Sequence, residues 1–265
     1  MKKELDGRAI KLLFIIYIAA RAMAPGGRTF DTRRAYMTKI VESAKALMPK
    51  LVEIRRDFHE YPETSQNEVR TSEKVAAYLK KMGCDQVIEN VGGHGVIGII
   101  KGKKDGKTVA LRADMDALQI QEMNDVEYKS RNDGVMHACG HDNHMTGLLG
   151  AAELLCQNRD EICGTVKLVF QPAEEFSPIG GSRGMLESGY LDDIGAIFGL
   201  HVWPDLPHGT VGVKAGPLMA ATDHFTITIH GKTAHGAKPD QGIDAVVLGA
   251  QFVMAAQSIV SRKVN

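Results

Sequence analysis

Within Gly134-Val135-Met136-His137-Ala138-Cys139-Gly140-His141-Asp142 a thiol and an imidazole stand two residues apart, just before an apolar, helix-like run. The glycine between them lets the backbone turn so that both side chains reach one centre. Further on, Phe170-Gln171-Pro172-Ala173-Glu174-Glu175 sets two adjacent carboxylates after a strand-like segment, and His201 closes another short apolar run. Cys, His, Glu and His together form a ligand set for a divalent transition metal. A spare carboxylate beside a ligating one is what metal-assisted hydrolysis needs: one Glu ligates while its neighbour acts as general base on the activated water. Adjacent acids usually mark a solvated loop. This loop leaves an apolar strand, where burial and mutual repulsion are costly without a cation.

Other polar residues are placed to support such a centre. Asp114 and Asp116, in Leu111-Arg112-Ala113-Asp114-Met115-Asp116, lie at i and i+2 on a strand end and so point to one side. Asp114 is a candidate to bind metal or orient a ligand, and Asp116 to anchor an imidazole from behind. Taken alone, the pair also suits turn or helix capping. His144 follows His141 by three residues, shares its helix face and is a candidate hydrogen-bond partner for substrate. His137 reads as a structural histidine satisfied by backbone. His235, within Gly231–Pro239, is either a solvated loop histidine or a donor that reaches a reacting carbonyl oxygen when domains or subunits close.

The elements that must hold these residues follow from periodicity. Ile40, Val41, Ala44, Leu47, Leu51, Ile54 and Phe58 recur at helical spacing over 37–60, with Pro49 an expected break or kink. A second helix is expected over 68–82, stopped by Gly83. Residues 95–100 and 108–113 read as neighbouring strands joined by the Lys/Gly turn between them. A helix over 146–156 and strands over 165–170 and 195–200 follow, with a further strand expected at 208–213. Strands alternating with helices predict an α/β domain, a mixed sheet covered by helices on both faces. Residues 225–230 alternate with period two, as a half-exposed strand does, and 243–260 form an amphipathic helix. Expected boundaries are thus an extension at 1–36, a metal-binding domain at 37–220 and the beginning of a second domain at 221–265.

Lys plus Arg and Asp plus Glu both number 32, so there is neither a basic stripe for nucleic acid nor a charged tail. Four cysteines in 265 residues do not make a disulfide framework, and a reducing, cytoplasmic setting is expected. Lys2, Lys3, Arg8 and Lys11 before the apolar Leu12–Ala20, then Ala22-Met23-Ala24, have the grammar of a secretion signal, which is the alternative. That run is shorter than the roughly 20 residues a membrane span needs.

The Met-His-Ala-Cys-Gly-His and Gln-Pro-Ala-Glu-Glu blocks, with Arg55–Glu63, Leu111–Leu118, Gly199–Pro204, Gly216–Ala220 and Gly231–Pro239, carry a resemblance. From residue 37 onward the chain resembles the metal-dependent amidohydrolases that include hippurate hydrolases, aminoacylases and auxin-conjugate hydrolases, within the aminoacylase and carboxypeptidase superfamily. The resemblance implies a zinc-peptidase-like catalytic domain with two divalent ions, Mn or Zn. Cys139, His141, Glu175 and His201 would be ligands, Glu174 the general base and His235 the oxyanion donor, supplied across a homodimer. The substrate implied is an N-acyl amino acid, or a short peptide in the dipeptidase and carboxypeptidase branches. Residues 221–265 would begin a ferredoxin-like α+β lid and dimerisation domain. The family's last metal-binding histidine lies in a C-terminal return that this sequence does not contain, so the resemblance implies a C-terminally truncated chain of doubtful activity by itself. Gln119 stands where proline is usual, and Thr64 where an apolar residue is common.

Overall fold

The computed structural model describes residues 30–177, 179–220 and 223–263. The chain divides into two compact units between Leu218 and Met219. Most of the expected N-terminal extension and its signal-like run lie outside the described residues.

In the first unit, helix α1 spans Phe30–Glu60, seven residues longer at its start than periodicity indicated, and it continues through Pro49. Proline removes one intrahelical hydrogen bond. Here Ile40, Ala44, Met48, Leu51, Ile54 and Phe58 bury one continuous face around it, and that burial outweighs the loss. Helix α2 (Val69–Met82) buries Val75, Ala76 and Leu79. It ends at Gly83, whose φ of 84° is open to glycine and whose N–H closes on the Leu79 and Lys80 carbonyls.

Strands β1 (Gln86–Val91), β2 (Gly95–Lys101), β3 (Lys104–Asp114), β4 (Cys163–Gln171) and β5 (Ile194–Gly199) form one sheet in the order β1-β2-β4-β3-β5. The expected pairing of β2 with β3 is therefore corrected: β4 lies between them, antiparallel to β2 and parallel to β3. The reason is visible at the connection. A Cβ on Gly102 would meet the Ile162 carbonyl at 2.2 Å, and one on Gly106 the Cys163 carbonyl carbon at 2.7 Å. The turn thus crosses the foot of β4, whose last six residues are all buried and take the interior position. Strand β1, which alternation did not reveal, extends the sheet as a hairpin with β2.

Helix α3 (His141–Gln157) is the crossover between the parallel strands β3 and β4. It packs with α1 and α2 over one face of the sheet, burying Val109, Leu111, Ala113, Val166, Leu168 and Phe170. The alternate residues Ile97, Ala110 and Val169 face a smaller cluster with Met185, on the short helix α4 (Gly181–Glu187), and Leu191. The register sets Asp114 against Gln171 and Arg112 against Gly199, so β3, β4 and β5 end together at one edge. That carboxyl edge is where open α/β sheets place their sites. Residues 208–213 join no strand, a second correction; the turn around Pro207–Thr210 supplies their local bonding and no ladder reaches them.

In the second unit, helix α5 (Ala245–Lys263) follows a loop in which Lys232 and Ile243 form an isolated bridge. The strand expected at 225–230 does not form. Phe225 and Ile227 are exposed, and alternation alone supplies no partner for the backbone. By length and composition α5 is apolar enough to cross a membrane, a property shared by core helices of soluble proteins.

Candidate metal centre

The parallel register delivers Asp114, the turn after Gln171 and His201 to the same edge, and the N-terminus of α3 brings Cys139 and His141 to meet them. Gly140 makes this approach possible. Its φ is 85°, and a Cβ there would lie 2.5 Å from Val202 Cγ2. Only glycine satisfies both conditions.

His141 is the hub. Three groups of donor atoms share it, each with all atoms within 4.8 Å: Cys139 with His201, Asp114 with His144, and Glu174 with Glu175. Its Nε2 lies 3.7 Å from Asp114 Oδ2, 3.8 Å from Glu175 Oε1 and 3.9 Å from Glu174 Oε2. Its Nδ1 is 3.3 Å from Asp116 Oδ1. The ring is 1% exposed, yet neither nitrogen makes an aligned hydrogen bond, and Asp116 Oδ1 also lacks one. Buried polar atoms left in this state are costly unless something bonds them, and a cation amid carboxylates and a thiol does so. Burial pushes the His141 pKa down, but Asp116, Cys139 and Asp114 overcome it and raise the ring to about 11. An imidazolium thus stands where the surrounding acids call for positive charge. The donor set fits a divalent ion.

His201 is oriented to ligate. Its Nδ1–H donates to the Val202 carbonyl at 2.5 Å, which leaves Nε2 as the acceptor nitrogen, hydrogen-bonded to Cys139 Sγ at 3.4 Å. Glu174 is more exposed than Glu175. Burial, then the charges of Asp114 and Glu175, hold its pKa above the usual carboxylate value, as suits a proton acceptor.

Two expectations are corrected by their hydrogen bonds. His144 Nδ1–H donates to Asp114 Oδ1 at 2.6 Å, and its Nε2 accepts the Val202 N–H at 2.9 Å. No ring nitrogen is left for substrate; His144 ties β3 to the segment that carries His201. His137 is not satisfied by backbone. Both its nitrogens are buried without a partner, and burial pushes its pKa down to about 4. Asp114 is held from three sides, by His144, by Arg112 Nη1 at 2.6 Å and by nearby His141, and its carboxylate belongs to one of the three donor groups. His235 lies in the second unit, exposed, with Nδ1 accepting the Ala237 N–H at 3.1 Å.

A buried support behind α3 had escaped sequence reasoning. His59 Nδ1 lies 2.8 Å from Asp142 Oδ2 and its Nε2 3.1 Å from Glu122 Oε1, while Arg55 Nε is 2.7 Å from Asp142 Oδ2. With a carboxylate at each nitrogen the ring is an imidazolium. Burial opposes its charge, but Asp142 and Glu122 raise the pKa of His59. Burial likewise works against the Asp142 charge, yet the His59 bond and the charges of His137 and Arg55 lower its pKa to about 2. In the sequence, Arg55 and His59 stand four residues apart within the Arg55–Glu63 block that carries the resemblance, and Asp142 directly follows His141, but nothing there joins them.

This network predicts a pH dependence. A carboxylate with depressed pKa stabilises the fold above its unfolded value of about 3.9 and loses that contribution as pH falls through its folded value. For Asp142 the loss is about 2 kcal/mol between roughly pH 4 and 2. His59, shifted the other way, stabilises below about pH 6.5 and loses its contribution as pH rises through the raised value. Urea unfolding of Asp142→Asn should therefore show a shallower acid limb, with a loss of about 3 kcal/mol at neutral pH from the unpaired Arg55 and His59. An acid limb as steep as that of the wild type would rule out Asp142 as its source.

A model of peptidase family M20/M25/M40 matches residues 110–262. N-acetylcysteine deacetylase of Bacillus subtilis is 46% identical over 221 residues, 83% of this chain and 58% of that protein. Thermostable carboxypeptidase 1 of Saccharolobus solfataricus is 44% identical over 228 residues, 86% of this chain and 58% of that protein. Among solved structures, the Bacillus subtilis YxeP protein, described as a dinuclear metal binding peptidase from the M20 family, superposes with a TM-score of 0.62 at 48% identity. That match covers 66% of this chain and 48% of the other. The chain thus spans somewhat over half the length of the curated relatives it matches.

Proposed function

This chain belongs to peptidase family M20/M25/M40, and on that footing we propose that it carries the metal-holding part of an amide hydrolase acting on N-acyl amino acids. The observation that carries this reading is the buried His141 ring, unbonded at both nitrogens and faced by Cys139, His201, Glu174, Glu175 and two aspartates. Cys139, His141, Glu175 and His201 would hold two divalent ions, Mn or Zn. When bound, these ions supply Lewis-acid polarisation of the amide carbonyl and acidify water.

The chain's own residues do the rest. Glu174, with its raised pKa, takes a proton from the attacking water as the new C–O bond forms. It then delivers that proton to the amine nitrogen as the C–N bond breaks, leaving a carboxylic acid and a free amino acid. His235 donates to the acyl oxygen, in a homodimer from across the subunit boundary. Because its Nδ1 accepts the Ala237 N–H, its neutral ring carries the proton on Nε2, the form able to donate. Asp116 backs the His141 ring, and Asp114 fixes His144 and Arg112 around the centre.

The discriminating experiment is a kcat/KM comparison on the full-length protein. It would set N-acetyl and N-benzoyl amino acids against dipeptides with a free amino end and N-blocked dipeptides. N-acyl amino acids should be preferred by about 100-fold. Preference for the free or blocked dipeptides would reassign the protein to the dipeptidase or carboxypeptidase chemistry of the same family.

A further inference from the structure

The turn after β4 carries both carboxylates on which the proposed reaction depends, in a conformation that an L-residue avoids. Ala173, directly before Glu174, has a φ of 49°, in the left-handed region where a Cβ crowds the following carbonyl. Two buried carboxylates from elsewhere grip this turn. Glu68 Oε1 accepts the Ala173 N–H at 2.6 Å, and Asp116 Oδ2 accepts the Glu175 N–H at 2.9 Å. On its other side the Ala173 carbonyl accepts the Gly181 N–H at 3.1 Å. Asp116 is steadied by Ser65 Oγ–H at 2.6 Å and belongs to the centre already described.

Glu68 is different. It stands at the N-terminal boundary of α2, 105 residues away in sequence, and is 0% exposed. Helix starts favour Ser, Thr, Asp or Asn, whose short side chains fold back onto the first N–H groups. The Glu68 side chain makes no such cap and reaches across to the turn instead. Among the described residues no cation pairs with it, and its Oε2 has no hydrogen-bond partner. Burying a carboxylate without a counter-ion is unfavourable, and burial raises the Glu68 pKa above the usual carboxylate value, so burial of this group does not by itself stabilise the fold.

We propose that Glu68 is a positioning residue: by holding the Ala173 N–H it fixes the left-handed turn that aims Glu174 and Glu175 into the metal centre. This inference rests on the roles given to those two glutamates above. It predicts that the oxygen acceptor, more than the charge, is what matters at position 68.

Amide hydrogen exchange on the full-length protein reads the turn independently of catalysis. Glu68→Ala should speed exchange across residues 173–176 by about tenfold or more while β4 and α2 keep their wild-type rates. In the same variant kcat should fall about 100-fold with KM changed by less than about threefold, the signature of misplaced reacting groups. Glu68→Gln, whose amide oxygen still accepts the Ala173 N–H, should return both readouts to within about fivefold of wild type. Unchanged exchange in Glu68→Ala, an equal loss in Glu68→Gln, or faster exchange throughout α2 and β4 would each overturn the proposal. Should Glu174→Gln retain activity, the catalytic assignment falls, while the exchange result still decides whether Glu68 holds the turn.

Discussion

Glu174→Gln lowers kcat by about three orders of magnitude while metal content and fold stay as in the wild type, the loss expected on removing a general base. Glutamine keeps the size of the side chain and its hydrogen-bonding oxygen but cannot accept a proton at neutral pH. The position is suited to this separation of effects. Glu174 is more solvent-exposed than its neighbour Glu175, and its carboxylate stands 3.9 Å from the His141 ring. Its backbone sits in the turn held through Ala173 and Glu175, neither of which the substitution touches. Single-turnover kinetics with parallel metal analysis checks the expectation. A fall of less than about tenfold would remove Glu174 from proton transfer, because positioned bases contribute at least 10²-fold. Loss of metal along with activity would make Glu174 a ligand. The companion Glu175→Gln should show that second pattern.

Chelation of the metal should abolish hydrolysis, by more than about 1,000-fold, without unfolding the protein. A closed structural site behaves in the opposite way, since its binding energy is its folding energy. Here the surrounding structure is already supported. Arg112 holds Asp114, Ser65 holds Asp116, and the His141 imidazolium supplies positive charge among the acids. The Tm should nonetheless drop by about 5–10 °C, because ions present at about a hundredfold excess over Kd add about 2.7 kcal/mol to the folded state. Returning Mn or Zn, one at a time, identifies the ion that supports turnover.

The direction of the proton linkage is also defined. A ligating His141 must be neutral, and its pKa of about 11 means the proton has to leave at neutral pH. Metal affinity should therefore rise with pH, and calorimetric titration in buffers of different ionisation enthalpy should register proton release. Cooperative unfolding on chelation would point to a structural site. Undiminished hydrolysis by a chain analysed as metal-free would sink the metal-dependent mechanism.

Much of the site was legible because its signals are local. Cys139, Gly140 and His141 are contiguous, as are Glu174 and Glu175, and the residues between strands and helices announce themselves by type. Local signals also misled where the backbone needed a distant partner. Residues 225–230 and 208–213 have strand-like composition, yet neither pairs. Pro49 reads as a break, but the helix runs through it because the face it interrupts is buried along its length.

What the sequence determined by itself is the chemistry: which side chains offer sulfur, nitrogen and oxygen donors, and the helical and strand periods that place them at element ends. Tertiary structure decided which of those side chains remain available. His141 and His144 are alike in type and share a helix face, yet only His144 has both nitrogens satisfied, by Asp114 and by the Val202 N–H. What His59, Asp142 and Glu68 bond to could not be read from the sequence, since those partners lie 63 to 105 residues away in the chain. Period and composition report the face a residue occupies. The hydrogen bond that engages or frees a buried polar atom depends on which elements pack against it.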